Sequence, residues 1–248
     1  MKAIEIKNLN HTYDHDSGIY NINLTILENE FIILAGCNGS GKTTLLRHLN
    51  GILTPDTGDV LIYGKNIRKN LMYARQNVGM VFQDATMQII GETVEEDIAF
   101  GPENLNLPEQ EIRKRVKSAL SVTGLTKKKD KNPATLSGGE KRKLAIADII
   151  SMGSTILVFD EPFANLDYPG TVKILEQILT LHKKGHTIII ATHDIEKVIF
   201  HADRLIIMNK GTITGNGTPE KTMDRLEENG IKKPCSIHYG HGLKSWLN

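Results

Sequence analysis

The chain has 248 residues, and 30 Lys and Arg against 29 Asp and Glu leave a formal charge of +1. That balance argues against a dedicated nucleic-acid binder, which carries a basic surplus. Apolar residues make up 40%, no run of them approaches the ~18 needed to span a bilayer, and the first residues lack a signal-peptide core, so the expectation is a globular chain that neither crosses a membrane nor enters a secretory pathway.

In chain order, residues 3–7 alternate as a strand, and 20–26 place Ile22, Leu24 and Ile26 on one face. Residues 31–35, 155–159 and 187–191 are continuous apolar runs rich in β-branched residues. Runs of that kind suit a parallel sheet covered on both faces. Helical spacing follows over 41–50, 108–123, 138–151 and 170–183. Strands alternating with helices predict an α/β fold with a mostly parallel central sheet and an N-terminal antiparallel β portion. The stretch 84–152 reads as helices only, opening on the capping box Thr93-Val94-Glu95-Glu96. It is expected to be a helical subdomain inserted into a body made of 1–83 and 153–228. Residues 229–248 are left as a C-terminal segment. Lys127 to Lys131 form a charge run that reads as a solvated loop. Two cysteines, Cys37 and Cys235, are too few for a disulfide scaffold and suit a reducing compartment. The histidines of the tail and Cys235 have no defensible zinc spacing, so packing or a dimer contact is the expected role of that segment.

Gly36-Cys37-Asn38-Gly39-Ser40-Gly41-Lys42-Thr43 matches the phosphate-loop pattern G-x-x-x-x-G-K-[ST]. It lies between the strand at 31–35 and an amphipathic helix, as such a loop must. Gly39 and Gly41 allow backbone N–H groups to turn toward a phosphate. The following helix points its positive end at the anion. Lys42 is placed to reach the β- and γ-phosphates of ATP, and the Thr43 hydroxyl to ligate Mg²⁺. The run 156–161 ends an apolar strand on Asp160 and Glu161, which brings carboxylates to the sheet edge where ligands bind. Asp160 is expected to hold Mg²⁺ and Glu161 to polarise the attacking water. His193 follows the strand at 187–191 and is placed to contact the γ-phosphate or that water, while Asp194 could cap a following helix.

Leu136-Ser137-Gly138-Gly139-Glu140 stands before the helix at 141–151. With phosphate loop, Gln83, this pentapeptide, acidic strand, Asp167 and His193 in that order, the chain resembles the ATP-binding cassette (ABC) family of P-loop NTPases from about residue 3 to about 228. The resemblance implies an ATPase with ATP and Mg²⁺ as cofactors. It assigns Tyr13 to adenine stacking, residues 36–44 (Thr44 included) to the nucleotide, and Gln83 to Mg²⁺ and water. Ser137, Gly138, Gly139 and Glu140 would meet the nucleotide of an opposite subunit, and Asp167 would cross the dimer interface. Glu161 and His193 resemble the catalytic pair. A head-to-tail dimer follows, either a homodimer or a heterodimer with a related ATPase.

Residues 92–105, with Gln88, His48-Leu49-Asn50-Gly51 and Ala164-Asn165-Leu166-Asp167, are similar to ATPases of energy-coupling-factor importers, which serve cobalt, nickel and vitamins. That subgroup implies a transmembrane coupling subunit and a substrate-binding membrane subunit, no nucleic acid, and a peripheral place on the cytoplasmic face of the membrane. The groove near 84–101, with Met87, Ile89, Ile90 and Phe100, would accept a short helix of the membrane partner unless those residues are core. A soluble cassette ATPase of iron–sulfur cluster assembly has similar length and motifs and is the alternative. Cys37 stands where Pro is common in the family, Glu140 where Gln is, and Asp148 where the importers usually carry a small residue.

Overall fold

The computed structural model describes residues 1–13 and 17–247, so only Asn248 of the C-terminal segment falls outside it. Two sheets and a helical layer make up the fold. The first sheet is antiparallel and has the order β2-β1-β4-β5, built from β1 (Lys2–Thr12), β2 (Gly18–Leu27), β4 (Thr57–Ile62) and β5 (Lys65–Asn66). Its alternation is the expected one: Ile22, Leu24 and Ile26 of β2 are buried on one face.

The second sheet has the order β10-β9-β3-β8-β7-β6. Its strands are β3 (Phe31–Ala35), β6 (Val78–Val81), β7 (Ile156–Asp160), β8 (Thr187–Thr192), β9 (Arg204–Asn209) and β10 (Thr212–Gly217). All neighbours pair in parallel except β10, which runs antiparallel to β9. Every residue of β3, β7 and β8 is buried. Both faces are covered, so a half-polar strand would leave polar side chains unpaired in the core. One apolar cluster joins β3, β7 and β8 to the antiparallel sheet, to α1 (Lys42–Leu49) and to Ala74 of α2 (Leu71–Asn77). Another joins the opposite face to α6 (Tyr168–Lys183) and the chain beyond Met223.

Between Val81 and Ile156 the described residues form helices and short 3-10 turns only. Here α3 (Val94–Asn104), α4 (Glu109–Thr123) and α5 (Gly138–Ser151) share an apolar cluster of their own, with Val94, Ile98, Val116, Leu120 and Leu144 at its centre. Two capping boxes are made, the expected one at Thr93 and a second at Ser137. Thr93 Oγ1 accepts from Glu96 N at 3.2 Å while Thr93 N donates to Glu96 Oε2 at 3.1 Å. Ser137 Oγ accepts from Glu140 N at 3.4 Å while Ser137 N donates to Glu140 Oε2 at 3.1 Å. Each box satisfies two donors that a helix start leaves orphaned. The charged run is tied down rather than merely solvated: Lys128 pairs with Glu140, and Lys129 with Glu95 at 3.0 Å.

Candidate functional site: a phosphate cleft and a separate signature cleft

The loop after β3 encloses a cleft of about 310 Å³ lined by Tyr13, Asn38 to Thr44, Gln83, Asp160 and Glu161. Gly39 has φ +79° and faces open space, so a phosphate can approach its backbone. Gly41 has φ +100°, and a Cβ there would meet Ile19 Cγ2 at 2.7 Å. Gly41 is also the N-cap of α1, with no side-chain cap. The first N–H groups of α1 are therefore left for an anion. Ser40 Oγ is enclosed without a partner in the same cradle.

Lys42 is buried, and its Nζ donates to Gly36 O at 2.6 Å and Cys37 O at 3.0 Å. Burial pushes its ammonium pKa down, against the opposing pull of Glu161, Asp160 and Cys37. Thr43 Oγ1 donates to Asp160 Oδ2 at 2.7 Å. Burial pushes the Asp160 carboxyl up, and that hydrogen bond partly offsets it. A buried cation thus sits beside two carboxylates, an arrangement awaiting a polyanion and a cation rather than a closed ion pair.

Glu161 adopts φ +46°. For a residue with a Cβ this is the strained left-handed region, at a cost on the order of 1–3 kcal/mol. Five contacts hold the residue in place. Its N–H donates to Ala191 O at 2.9 Å. Arg142 Nη1 donates to its carbonyl at 2.8 Å. Thr192 Oγ1 donates to Oε2 at 2.9 Å. His193 N donates to Oε1 at 3.1 Å, with His193 Nδ1 2.8 Å from the same oxygen. Strands β7 and β8 are parallel neighbours in the sheet, so Glu161 and His193, just past the two strand ends, meet side by side. Asp194 caps no helix; its carboxylate pairs with Lys197 in a turn.

Tyr13 is 39% exposed and lies edge-on to His11, with ring centroids 4.7 Å apart. Gln83 lines the cleft, and its carbonyl accepts from Arg142 Nη2 at 2.8 Å. Cys37 is exposed, and its Sγ donates to Gly230 O at 3.2 Å.

The remaining predicted residues are elsewhere. Ser137, Gly138, Gly139 and Glu140 line a second cleft of about 450 Å³ with Asn165, Leu166 and Asp167. Among the described residues, none lines both clefts. Asp167 caps α6 by accepting from Gly170 N at 2.8 Å. The two groups of predicted residues therefore line two separate clefts.

The family profile described as ABC transporter matches residues 19–164. The chain belongs to the ABC transporter family. It is an ABC-type ATPase, an enzyme whose ATP hydrolysis is coupled to transport. The ATPase is 45% identical over 231 residues to the energy-coupling factor transporter ATP-binding protein EcfA of Methanocaldococcus jannaschii, covering 92% of this chain and 83% of that one. It is 42% identical over 256 residues to EcfA2 of Clostridium tetani, covering 98% and 89%. Among solved structures, cbiO1 from Clostridium perfringens, part of the ABC transporter complex cbiONQ, superposes with a TM-score of 0.80 at 39% identity, covering 89% of this chain and 90% of that one.

Three residues that hold backbone at or near the phosphate cleft carry no local motif. Arg142 is buried on α5 and reaches the carbonyls of both Gln83 and Glu161. Gln88 closes the turn after β6: its Oε1 accepts from Phe82 N and its Nε2 donates to Met80 O, each at 2.9 Å. Asp97 Oδ1 accepts from Ile90 N at 2.8 Å and Gly91 N at 2.7 Å. The carbonyls that Arg142 meets lie 19 and 59 positions away, and the partners of Gln88 and Asp97 are backbone groups six to eight residues back, none of which a motif announces.

Beside this turn runs a groove of about 250 Å³ that includes Met80, Phe82, Ile90, Phe100 and Asp148. Of the expected groove residues, Met87, Ile90 and Phe100 are exposed, whereas Ile89 packs against the helical cluster. Asp148 Oδ1 is enclosed without a partner. Burial, reinforced by the charge of Asp97, raises its pKa well above 3.8. The folded state therefore holds a proton that the unfolded chain releases, and stability falls as pH rises through the folded-state pKa. Asp148→Asn removes that loss. It is expected to stabilise the isolated ATPase by about 1 kcal/mol above that window, roughly 2–4 °C in melting temperature. Thermal melts at acid and mildly alkaline pH check this, since the gain must vanish at the acid end.

Proposed function

We propose that the ATPase drives a membrane importer of the energy-coupling-factor type from the cytoplasmic face, with cobalt, nickel or a vitamin as cargo. The working unit is a head-to-tail pair of ATPases, identical or related, carried by a transmembrane coupling subunit and a substrate-binding membrane subunit. The observation that carries this reading is the separation of the phosphate cleft from the signature cleft. An opposed second copy supplies each phosphate cleft with the missing N–H donors at the start of α5. Relatives 42–45% identical are ATP-binding proteins of energy-coupling factor transporters, which favours this reading over an iron–sulfur assembly ATPase. Among the described residues no helix is long and apolar enough to cross a membrane, so a membrane role rests on partners.

In this reading residues 1–83 and 153–228 form the catalytic body, 84–152 the helical subdomain, and 229–248 a C-terminal segment. Lys42 and the N–H groups of residues 36–44 hold the β- and γ-phosphates. Tyr13 stacks on adenine. The hydroxyl of Thr43, the carboxylate of Asp160 and the amide of Gln83 form an all-oxygen donor set that fits Mg²⁺, and the unpartnered Ser40 hydroxyl marks the cradle above it. Mg²⁺ bound there neutralises charge on the phosphates. Glu161 takes a proton from the attacking water, and His193 steadies the γ-phosphate. Ser137, Gly138, Gly139 and Glu140 of the opposite copy complete the shell, and Asp167 links the two copies.

Solubilised membranes of the source cells test the assignment. The ATPase is expected to co-purify with hydrophobic membrane proteins. Recovery only in a wholly soluble complex with cluster-assembly proteins would overturn the importer reading.

A further inference from the structure

The chain beyond Asn229 touches three of the loops that the ATPase reading assigns to the chemistry. It first passes the phosphate loop, where Cys37 Sγ donates to Gly230 O at 3.2 Å. Next, Cys235 N donates to Glu196 Oε2 at 2.8 Å, just past His193. Near its end Trp246 lies against Tyr168, with ring centroids 5.1 Å apart and planes tilted by 53°. Tyr168 follows Asp167 directly and is the first residue of α6. Lys197 Nζ stands 6.0 Å from the centre of the Trp246 ring, and Lys197 is paired with Asp194, the residue after His193. One indole therefore bridges the loop after β7 and the loop after β8.

We propose that residues 229–247 form a strap, and that Trp246 is a positioning residue that keeps the Asp167 loop and the His193 loop in mutual register for hydrolysis. The inference rests on the ATPase reading of those two loops. Without the indole, Tyr168, itself 64% exposed, loses its ring contact, and the Lys197–Asp194 turn loses its aromatic neighbour. Both loops then sample positions in which Glu161, His193 and Asp167 are not aligned at once. The phosphate loop and Tyr13 keep their own supports, so nucleotide affinity is untouched.

Two measurements on the full chain test this. Trp246→Ala is expected to lower kcat about tenfold, the scale of a small misplacement of catalytic groups, with KM for ATP within about twofold. Trp246→Phe keeps a ring against Tyr168 and is expected to recover most of the rate. An Ala variant with unchanged kcat, one whose kcat and KM worsen together, or a Phe variant that fails to recover overturns the proposal. Trp246 is also the only tryptophan in the chain. In a Glu161→Gln background its emission is expected to shift when Mg²⁺ and ATP are added and to stay put with ADP. A silent indole while a fluorescent ATP analogue binds overturns the strap alone. Failure of the analogue to bind overturns the ATPase reading and the strap with it.

Discussion

Replacing Glu161 by Gln is expected to lower kcat by about 10²–10⁴, the usual contribution of a positioned general base, and to trap the chain as an ATP-bound dimer. Gln keeps the length of the side chain. Its amide oxygen can still accept from His193 N, now 3.1 Å from Oε1, and the Thr192 hydroxyl, which now donates to Oε2 at 2.9 Å, can turn to accept. The left-handed backbone at this position is held by Ala191 O and Arg142, neither of which contacts the substituted atoms. The variant therefore folds and binds nucleotide but cannot take the proton from water. Single-turnover hydrolysis and size-exclusion chromatography with Mg²⁺ and ATP read the two effects. Unchanged turnover would remove Glu161 from the role of base. A strictly monomeric variant at high concentration would undo the two-copy site.

Lys42→Ala is expected to weaken ATP binding at least about 100-fold, or ~2.7 kcal/mol. Lys42 is the cation among the described residues lining the phosphate cleft, where Asp160 and Glu161 supply the opposite charge. Its removal leaves two carboxylates facing a polyanion, and it strips Gly36 O and Cys37 O of their donor. Arg does not substitute, because its planar fork cannot reproduce a compact ammonium enclosed between two carbonyls. Calorimetric titration with ATP measures the loss, and an affinity within about threefold of the parent would contradict the assignment.

Much of the site is written in short stretches of chain. Strand, phosphate loop and α1 follow one another within residues 31–49, and each step has a local cause: burial on both faces, glycines that accept positive φ, a helix start without a side-chain cap. Both capping boxes and the Asp167 cap are visible for the same reason. The groove is legible only in part. Met87, Ile90 and Phe100 are exposed and Ile89 is not, because helical spacing identifies a face but not whether a neighbour covers it.

Local chemistry alone thus determined that this chain holds a phosphate loop, an acidic strand end and a capped signature helix, since each depends on residues within a few positions of one another. Tertiary structure decided how they stand to one another. The placement of β3 between β8 and β9, the meeting of Glu161 with His193, and the reach of Arg142 to two distant carbonyls are choices among long-range pairings. Backbone twist, burial and the need to satisfy every enclosed polar group select among them only when the whole chain packs. The same packing sets the cleft of Ser137 to Glu140 apart from the cleft of the phosphate loop.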